Sequence, residues 1–358
     1  MRLRLFLLLV TCCTALLGCS RDTPDYMLND YVERLSNTLE VDRIPSTPNL
    51  LPLFPPRRDR IMEPTEIRQG LVEVLDLQIC DLLPLIAERN SSLGKVYTPS
   101  KRMVYELKFF HGLRECRKKI QSGNDVTPEL QKKIERIYQI KKDNLAQELW
   151  NGLYLAKEFE DNFSRGEPAL AKEPTGSSQA SYNALFRLSQ LTHMLKQDDW
   201  ALPDDIDRLE TQYQTLHQNR SGGQIFQSIN LLTHYLTEAA TLINARLDRK
   251  DMCPLRQATP QARILKNVFQ KYYAQRVQPY LAYAHQQALQ WTSLNNLLLD
   301  EFKQLGIVIP KSMENYQQTM LSQTAKDGLW LRYIHARDKH TSAWQRILKQ
   351  CDLMPRSQ

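Results

Sequence analysis

The chain has 358 residues, 42% hydrophobic and 24% charged, with a formal net charge of +7. These values exclude collagen-like, mucin-like and low-complexity disordered chains, and a polytopic membrane protein. The positive balance is too mild, and too interleaved with acids, for a nucleic-acid-binding surface. Glycine occurs only 12 times, and leucine 54 times against 11 valines. Unbranched leucine suits helices, strands favour β-branched residues, and scarce glycine leaves few tight hairpins, so the composition predicts an all-α protein.

Residues 1–18 read as a signal peptide, opened by Arg2 and Arg4 and continued by an apolar run over 5–17. The run is shorter than the ~20 residues of a lasting membrane span. It closes on Leu16-Leu17-Gly18-Cys19, which resembles the bacterial lipobox, so Cys19 is expected to become the acylated first residue of the mature protein. Several acyl chains anchor a soluble domain to a lipid bilayer far more firmly than one chain does. Ser20, where an acid would retain the protein in the inner membrane, points to the outer membrane, with the protein facing the periplasm.

Cys12 and Cys13 leave with the signal and Cys19 is lipidated, which leaves Cys80, Cys116, Cys253 and Cys351. In an oxidising periplasm these suggest two disulfides, in any of three pairings. Cys80 with Cys116 and Cys253 with Cys351 is preferred, because each pair stays within one half of the chain. That choice needs the chain to bend near Pro84, since on two straight antiparallel helices Cys80 and Cys116 lie at different distances from the turn. No Cys-x-x-Cys pair and no suitably spaced histidine accompanies them, so no metal site is expected.

Thr-Pro recurs at 23–24, 98–99, 127–128 and 259–260, each time before an apolar stripe of helical period. Threonine caps the first free amides and proline fits the first helical position. The first such helix carries Met27, Leu28, Tyr31, Val32, Leu35 and Leu39. Residues 44–64 contain six prolines and are expected to be extended, lying against the body through Leu50, Leu51, Leu53 and Phe54. Arg57, Arg58 and Arg60 within them read as solvated basic residues or, as a patch, as a contact for anionic lipid headgroups.

A helix from Ile67 through Leu82 is predicted to end or kink near Pro84 and to pack as a hairpin with the one that starts at Pro99. The stripe over 127–163 predicts a helix of ~37 residues, ~55 Å long. Residues 164–178 form the strongest internal break and a linker between an N-terminal lobe, 19–163, and a C-terminal lobe, 179–358. Further helices are predicted over 182–195, 203–216, the residues after Gly222-Gly223, 260–302 with a kink at Pro279, 310–326 and 328–350. The expected architecture is an elongated bundle of about ten helices in two packed lobes.

Catalytic signatures are absent: there is no Gly-x-Ser-x-Gly, no His-Glu-x-x-His and no EF-hand loop, and Arg89 stands where a phosphate loop ending at Gly94-Lys95 needs glycine. No catalytic residue and no cofactor is assigned. Glu88, Arg89 and Asn90, with Ser91 to Lys95, gather acid, base and amide groups that suit a polar ligand or, read more simply, a helix cap. Tyr272, Tyr273, Tyr280, Tyr283 and Trp291 surround the Pro279 kink and suit a sugar- or peptide-binding groove or, more simply, the core.

The lipobox, Cys80, Cys116 and the stretches Glu88-Arg89-Asn90-Ser91-Ser92-Leu93-Gly94, Asn267-Val268-Phe269-Gln270-Lys271 and Gln278-Pro279-Tyr280-Leu281 resemble an uncharacterised proteobacterial lipoprotein family, known only as a domain of unknown function. The resemblance spans most of the mature chain and implies neither a reaction nor catalytic residues. The resulting expectation is an acyl-anchored envelope lipoprotein that binds an envelope protein partner as a non-enzymatic scaffold. The alternative is a ligand or glycan binder, or a cell-wall hydrolase, with Glu88 and the Tyr280 region at its site.

Overall fold

The computed structural model describes residues 23–67, 76–122, 126–197, 199–249 and 252–354; the expected signal peptide and Cys19 lie outside them. Among the described residues every regular element is helical and there is no strand. The four Thr-Pro pairs that precede helical stripes all cap helices, and a fifth, Thr47-Pro48, lies in extended chain. The hydroxyls of Thr23, Thr98, Thr127 and Thr259 accept from the amides of Tyr26, Lys101, Leu130 and Ala262 at 3.2–3.3 Å. Such a cap contributes about 1 kcal/mol to its helix.

Helix α1 (Pro24–Leu39) buries Met27, Leu28, Tyr31, Val32, Leu35 and Leu39 and stops where Glu40 turns left-handed at φ 53°. The chain then forms an extended strap over residues 41–67, interrupted by one 3-10 turn at Arg57–Asp59. With few backbone amides to pair with, the strap is held by side chains. The Asn151 amide brackets the backbone of Met62, donating to its carbonyl and accepting from its N–H, both at 2.9 Å. Asn144 does the same for Thr65 at 2.7 and 2.9 Å. Asn230 donates to the Asn49 carbonyl, Trp150 to the Arg60 carbonyl and Ser312 to the Asp59 carbonyl.

The basic group within the strap divides. Arg57 and Arg58 are exposed, whereas Arg60 is wholly buried beneath the Phe54 ring, paired with Glu160 and donating to the Tyr154 carbonyl. Burial pulls the Arg60 pKa down, and the Glu160 carboxylate offsets part of that. The apolar residues divide too: Leu51 is buried and Phe54 half-buried, while Leu50 and Leu53 face out.

Residues 68–75 of the helix expected after Ile67 lie outside the described residues. The chain continues through a 3-10 turn, Asp76–Cys80, and a left-handed Asp81 at φ 54° into α2 (Leu83–Asn90). Pro84 opens α2 rather than ending a helix, because its missing N–H costs nothing in a first turn. The reversal at Asp81 supplies the bend that the first disulfide requires. Cys80 bonds Cys116 of α3 (Pro99–Ser122) with Cα atoms 5.0 Å apart.

Helices α3 and α4 (Pro128–Tyr154) pack as a hairpin. A Cβ on Gly152 would lie 2.5 Å from Met103 Cβ, so glycine sets their close approach. Helix α4 has 27 residues, not 37. Arg60 and Arg57 take the carbonyls of Tyr154 and Leu155, and the chain turns away into a single helical turn, Lys157–Glu160, and a 3-10 turn, Asp161–Phe163.

Helices α5 (Ser177–Leu195), α6 (Glu210–Asn219) and α7 (Ser221–Arg249) come next; α7 runs through Gly222-Gly223. Beyond them lie α8 (Pro260–Val268), a π-helical stretch Phe269–Val277, and α9 (Gln278–Gln304). The irregularity expected at Pro279 sits just before it: the Gln278 amide reaches the Tyr273 carbonyl, and Pro279 falls in the first turn of α9, where it need not donate. Helices α10 (Lys311–Tyr316) and α11 (Leu329–Gln350) complete the set, and Cys253 bonds Cys351.

Helices α7 and α11 form the most extensive helix pair, and α1 packs on α7. The buried hydrophobic residues form two clusters. A small one gathers Leu77, Cys80, Phe109, Leu113, Cys116 and Ile137; a large one takes in residues from Met27 to Cys351. Residues on both sides of 164–178 contribute to the large cluster. Leu170, inside that segment, is itself buried there, and its amide donates to Ser228 at 2.8 Å.

Candidate functional site

The Glu88 to Lys95 stretch folds as a self-contained turn after α2. Ser91 Oγ donates to the Glu88 carbonyl at 2.7 Å and accepts from the Gly94 amide at 3.0 Å. The Arg89 guanidinium donates to the Gly94 carbonyl, and the Tyr97 hydroxyl to the Glu88 carboxylate, which raises the Tyr97 pKa. A Cβ at Gly94 would run into the carbonyls of Glu88 and Arg89. The turn therefore uses much of the polar chemistry that singled it out.

It also separates the candidates. Glu88, Ser91 and Tyr97 line a cleft of about 480 Å³ bounded by Lys101 and Asp207. Arg89, Asn90 and Lys95 line another of about 340 Å³, where Lys141 reaches Glu106 at 2.6 Å. Tyr105 borders both, and its hydroxyl pKa is raised by burial first and by the Glu106 charge second. Glu88 and Arg89 are thus not brought to one site.

The aromatic run divides as well. Tyr280 is 1% exposed and donates to Ser228 Oγ at 3.0 Å, so it has no face to offer a sugar ring. Trp291 is equally enclosed. Tyr273 joins Phe269 and His340 in the core, whereas Tyr272 lies under the Arg34 guanidinium at 4.3 Å. Tyr283 is half-buried and borders a depression of about 690 Å³ beside Leu170 and Thr175.

A third cleft, about 590 Å³, runs along α7 beneath the start of the strap. Its walls are apolar at Val41, Ile44, Leu242 and Ala245, and Arg249 lies at its border. His234 and Glu238 are one turn apart on its floor, Nε2 to Oε2 3.8 Å. Burial lowers the His234 pKa, the Glu238 carboxylate opposes that, and Nε2 has no hydrogen-bond partner. Arg43 from the strap binds Glu238, with one contact at 3.0 Å, and donates to Asn29 at 2.7 Å. Sequence reasoning missed this site. The i, i+4 pairing of His234 and Glu238 was visible, but the strap that closes over it was not.

Among the described residues no three of His, Cys, Asp and Glu converge as metal ligands would, and no helix is long and apolar enough to cross a membrane. Fold and clefts together define a disulfide-tied all-α bundle bound by an extended strap, with its clefts at the edges between elements. The chain belongs to the family described as protein of unknown function DUF3080, whose model matches residues 28–355. No curated protein and no solved structure gives a match.

Proposed function

We propose that this protein is an acyl-anchored lipoprotein of a bacterial cell envelope, held on the membrane through Cys19 and facing the periplasm, in the outer membrane by the Ser20 rule. It acts as a non-enzymatic interaction or scaffolding protein for an envelope partner. The observation that carries the compartment is the cysteine inventory: all four cysteines after Cys19 are joined in two disulfides, the state an oxidising envelope maintains. Support for an interaction role comes from the α7 cleft, which is apolar along its walls and charged at its edge, a composition suited to holding a segment of another molecule.

The test is photo-crosslinking in cells from Thr237 and Ile44 in the α7 cleft and from Glu88, with mass spectrometry of the captured species. One recurrent protein partner is expected, lost from the membrane fraction when residues 1–19 are replaced by a cleavable signal without a lipobox, which releases the chain. Capture of glycan instead would favour the ligand-binding alternative, for which the unpartnered His234 Nε2 is the specific support.

A further inference from the structure

The strap carries apolar side chains that packing does not explain. Ile44 is 85% exposed, Leu50 78% and Leu53 66%. Exposed leucines in a loose loop are ordinary, but these sit on backbone fixed by Pro45, Pro48, Pro52 and Pro55 and bonded to α7 through Asn49 and Asn230 at 2.7 Å. Two exposed arginines, Arg57 and Arg58, come directly after. The acids nearby are Asp42, Asp59 and Glu63, and Asp59 is 3.5 Å from Arg58.

The start of α1 lies close to this surface. Asp25 accepts from Tyr235 of α7 at 2.9 Å, and Asn49 is bonded to Asn230 of the same helix. Those two positions are five residues apart, about 7.5 Å along the helix axis and about 140° around it, so they share a stretch of α7 but not a face. Arg43, next to Ile44, reaches back to Asn29 on α1. From Cys19 to Thr23 there are four peptide steps, which span at most ~14 Å when fully extended. A chain acylated at Cys19 must therefore hold this side of α1 and α7 within that distance of the bilayer.

We infer that the outer side of the strap, Leu50 and Leu53 followed by Arg57 and Arg58, is a bilayer-contact surface on which the anchored protein rests. This role depends on the Cys19 anchor of the proposed function. Apolar side chains beside cations match the interface of a membrane that contains anionic lipid, where the leucines enter the acyl boundary and the arginines meet phosphate. A tether this short makes the contact intramolecular in effect, so a few side chains are enough to orient the body.

The test uses the full acylated chain in vesicles of phosphatidylethanolamine and phosphatidylglycerol. An environment-sensitive fluorophore is placed singly at Leu50→Cys and Leu53→Cys, with Phe186→Cys on α5 as control. The expected result is a blue shift at 50 and 53, and loss of most of their emission to nitroxide-labelled lipid, with little change at 186. Arg57→Glu together with Arg58→Glu should weaken the quenching at 53. If the protein floats with the vesicles while the three labels behave alike, the contact surface is disproved and the anchor stands; the strap then faces water or a protein partner. If the protein does not float, the anchor fails and this inference fails with it.

Discussion

Gly94 shows how a motif rich in functional groups can be a structural device. Its missing Cβ lets the chain close against the Glu88 and Arg89 carbonyls while Ser91 and Arg89 bond inside the turn. Gly94→Ala should therefore destabilise the protein by about 2 kcal/mol, measured by urea unfolding. His340 is a second such residue. It is fully buried, shares a 2.7 Å hydrogen bond with Tyr31, and takes up no proton until about pH 3 because burial disfavours its charged form. The unfolded chain protonates this histidine near pH 6.5. The group's contribution is thus complete above pH 6.5 and falls as pH drops towards 3, by roughly 1.4 kcal/mol per pH unit. Urea midpoints from pH 7 to 4 should decline less steeply in His340→Gln, whereas unchanged steepness would mean that other groups carry the acid dependence. The packing of Gly94 against two carbonyls and the burial of His340 are not legible in the sequence, although the sequence also offers the simpler reading of Glu88 to Lys95 as a helix cap, which the turn fits. Both depend on what lies across from them, which residue spacing alone does not encode.

Elements whose ends are set by neighbouring residues are readable in the sequence, and those set from afar are not. The four Thr-Pro caps are local chemistry and start helices where expected. Helix α4 continues to look helical past Tyr154 in sequence, yet Arg60, 94 residues upstream, takes its terminal carbonyl. The strap lies against the body as its composition suggests, but through asparagine side chains, Leu51 and Phe54, while Leu50 and Leu53 face out. Removing one bracket should be felt locally: Asn151→Ala leaves the Met62 N–H and carbonyl without partners and should cost about 1–3 kcal/mol. Hydrogen exchange would show it as faster exchange at Met62 with α7 unaffected; an unaltered Met62 rate would mean the strap is held elsewhere.

For the molecule as a whole, the disulfides and the large core act together. Cys253–Cys351 closes a sequence separation of 98 residues and ties the chain beyond α7 to the end of α11, the helix α7 pairs with most. Its removal by paired Cys→Ala substitution should cost ~4.7 kcal/mol by the loop-entropy model, seen as a lower melting temperature in oxidising buffer. The preferred disulfide pairing was legible because each bridge stays within one half of the chain. The packing was less so, since α1 from the N-terminal half joins α7 and α11 in one core across residues 164–178. Under the proposed function this arrangement matters, because a chain tethered just ahead of α1 is tethered at the main core. The most direct test is the mass of the N-terminal peptide of the protein isolated from its native membranes. The expected peptide begins at Cys19 and carries acyl chains; a peptide that begins at any other residue, or an unmodified Cys19, would contradict the anchor.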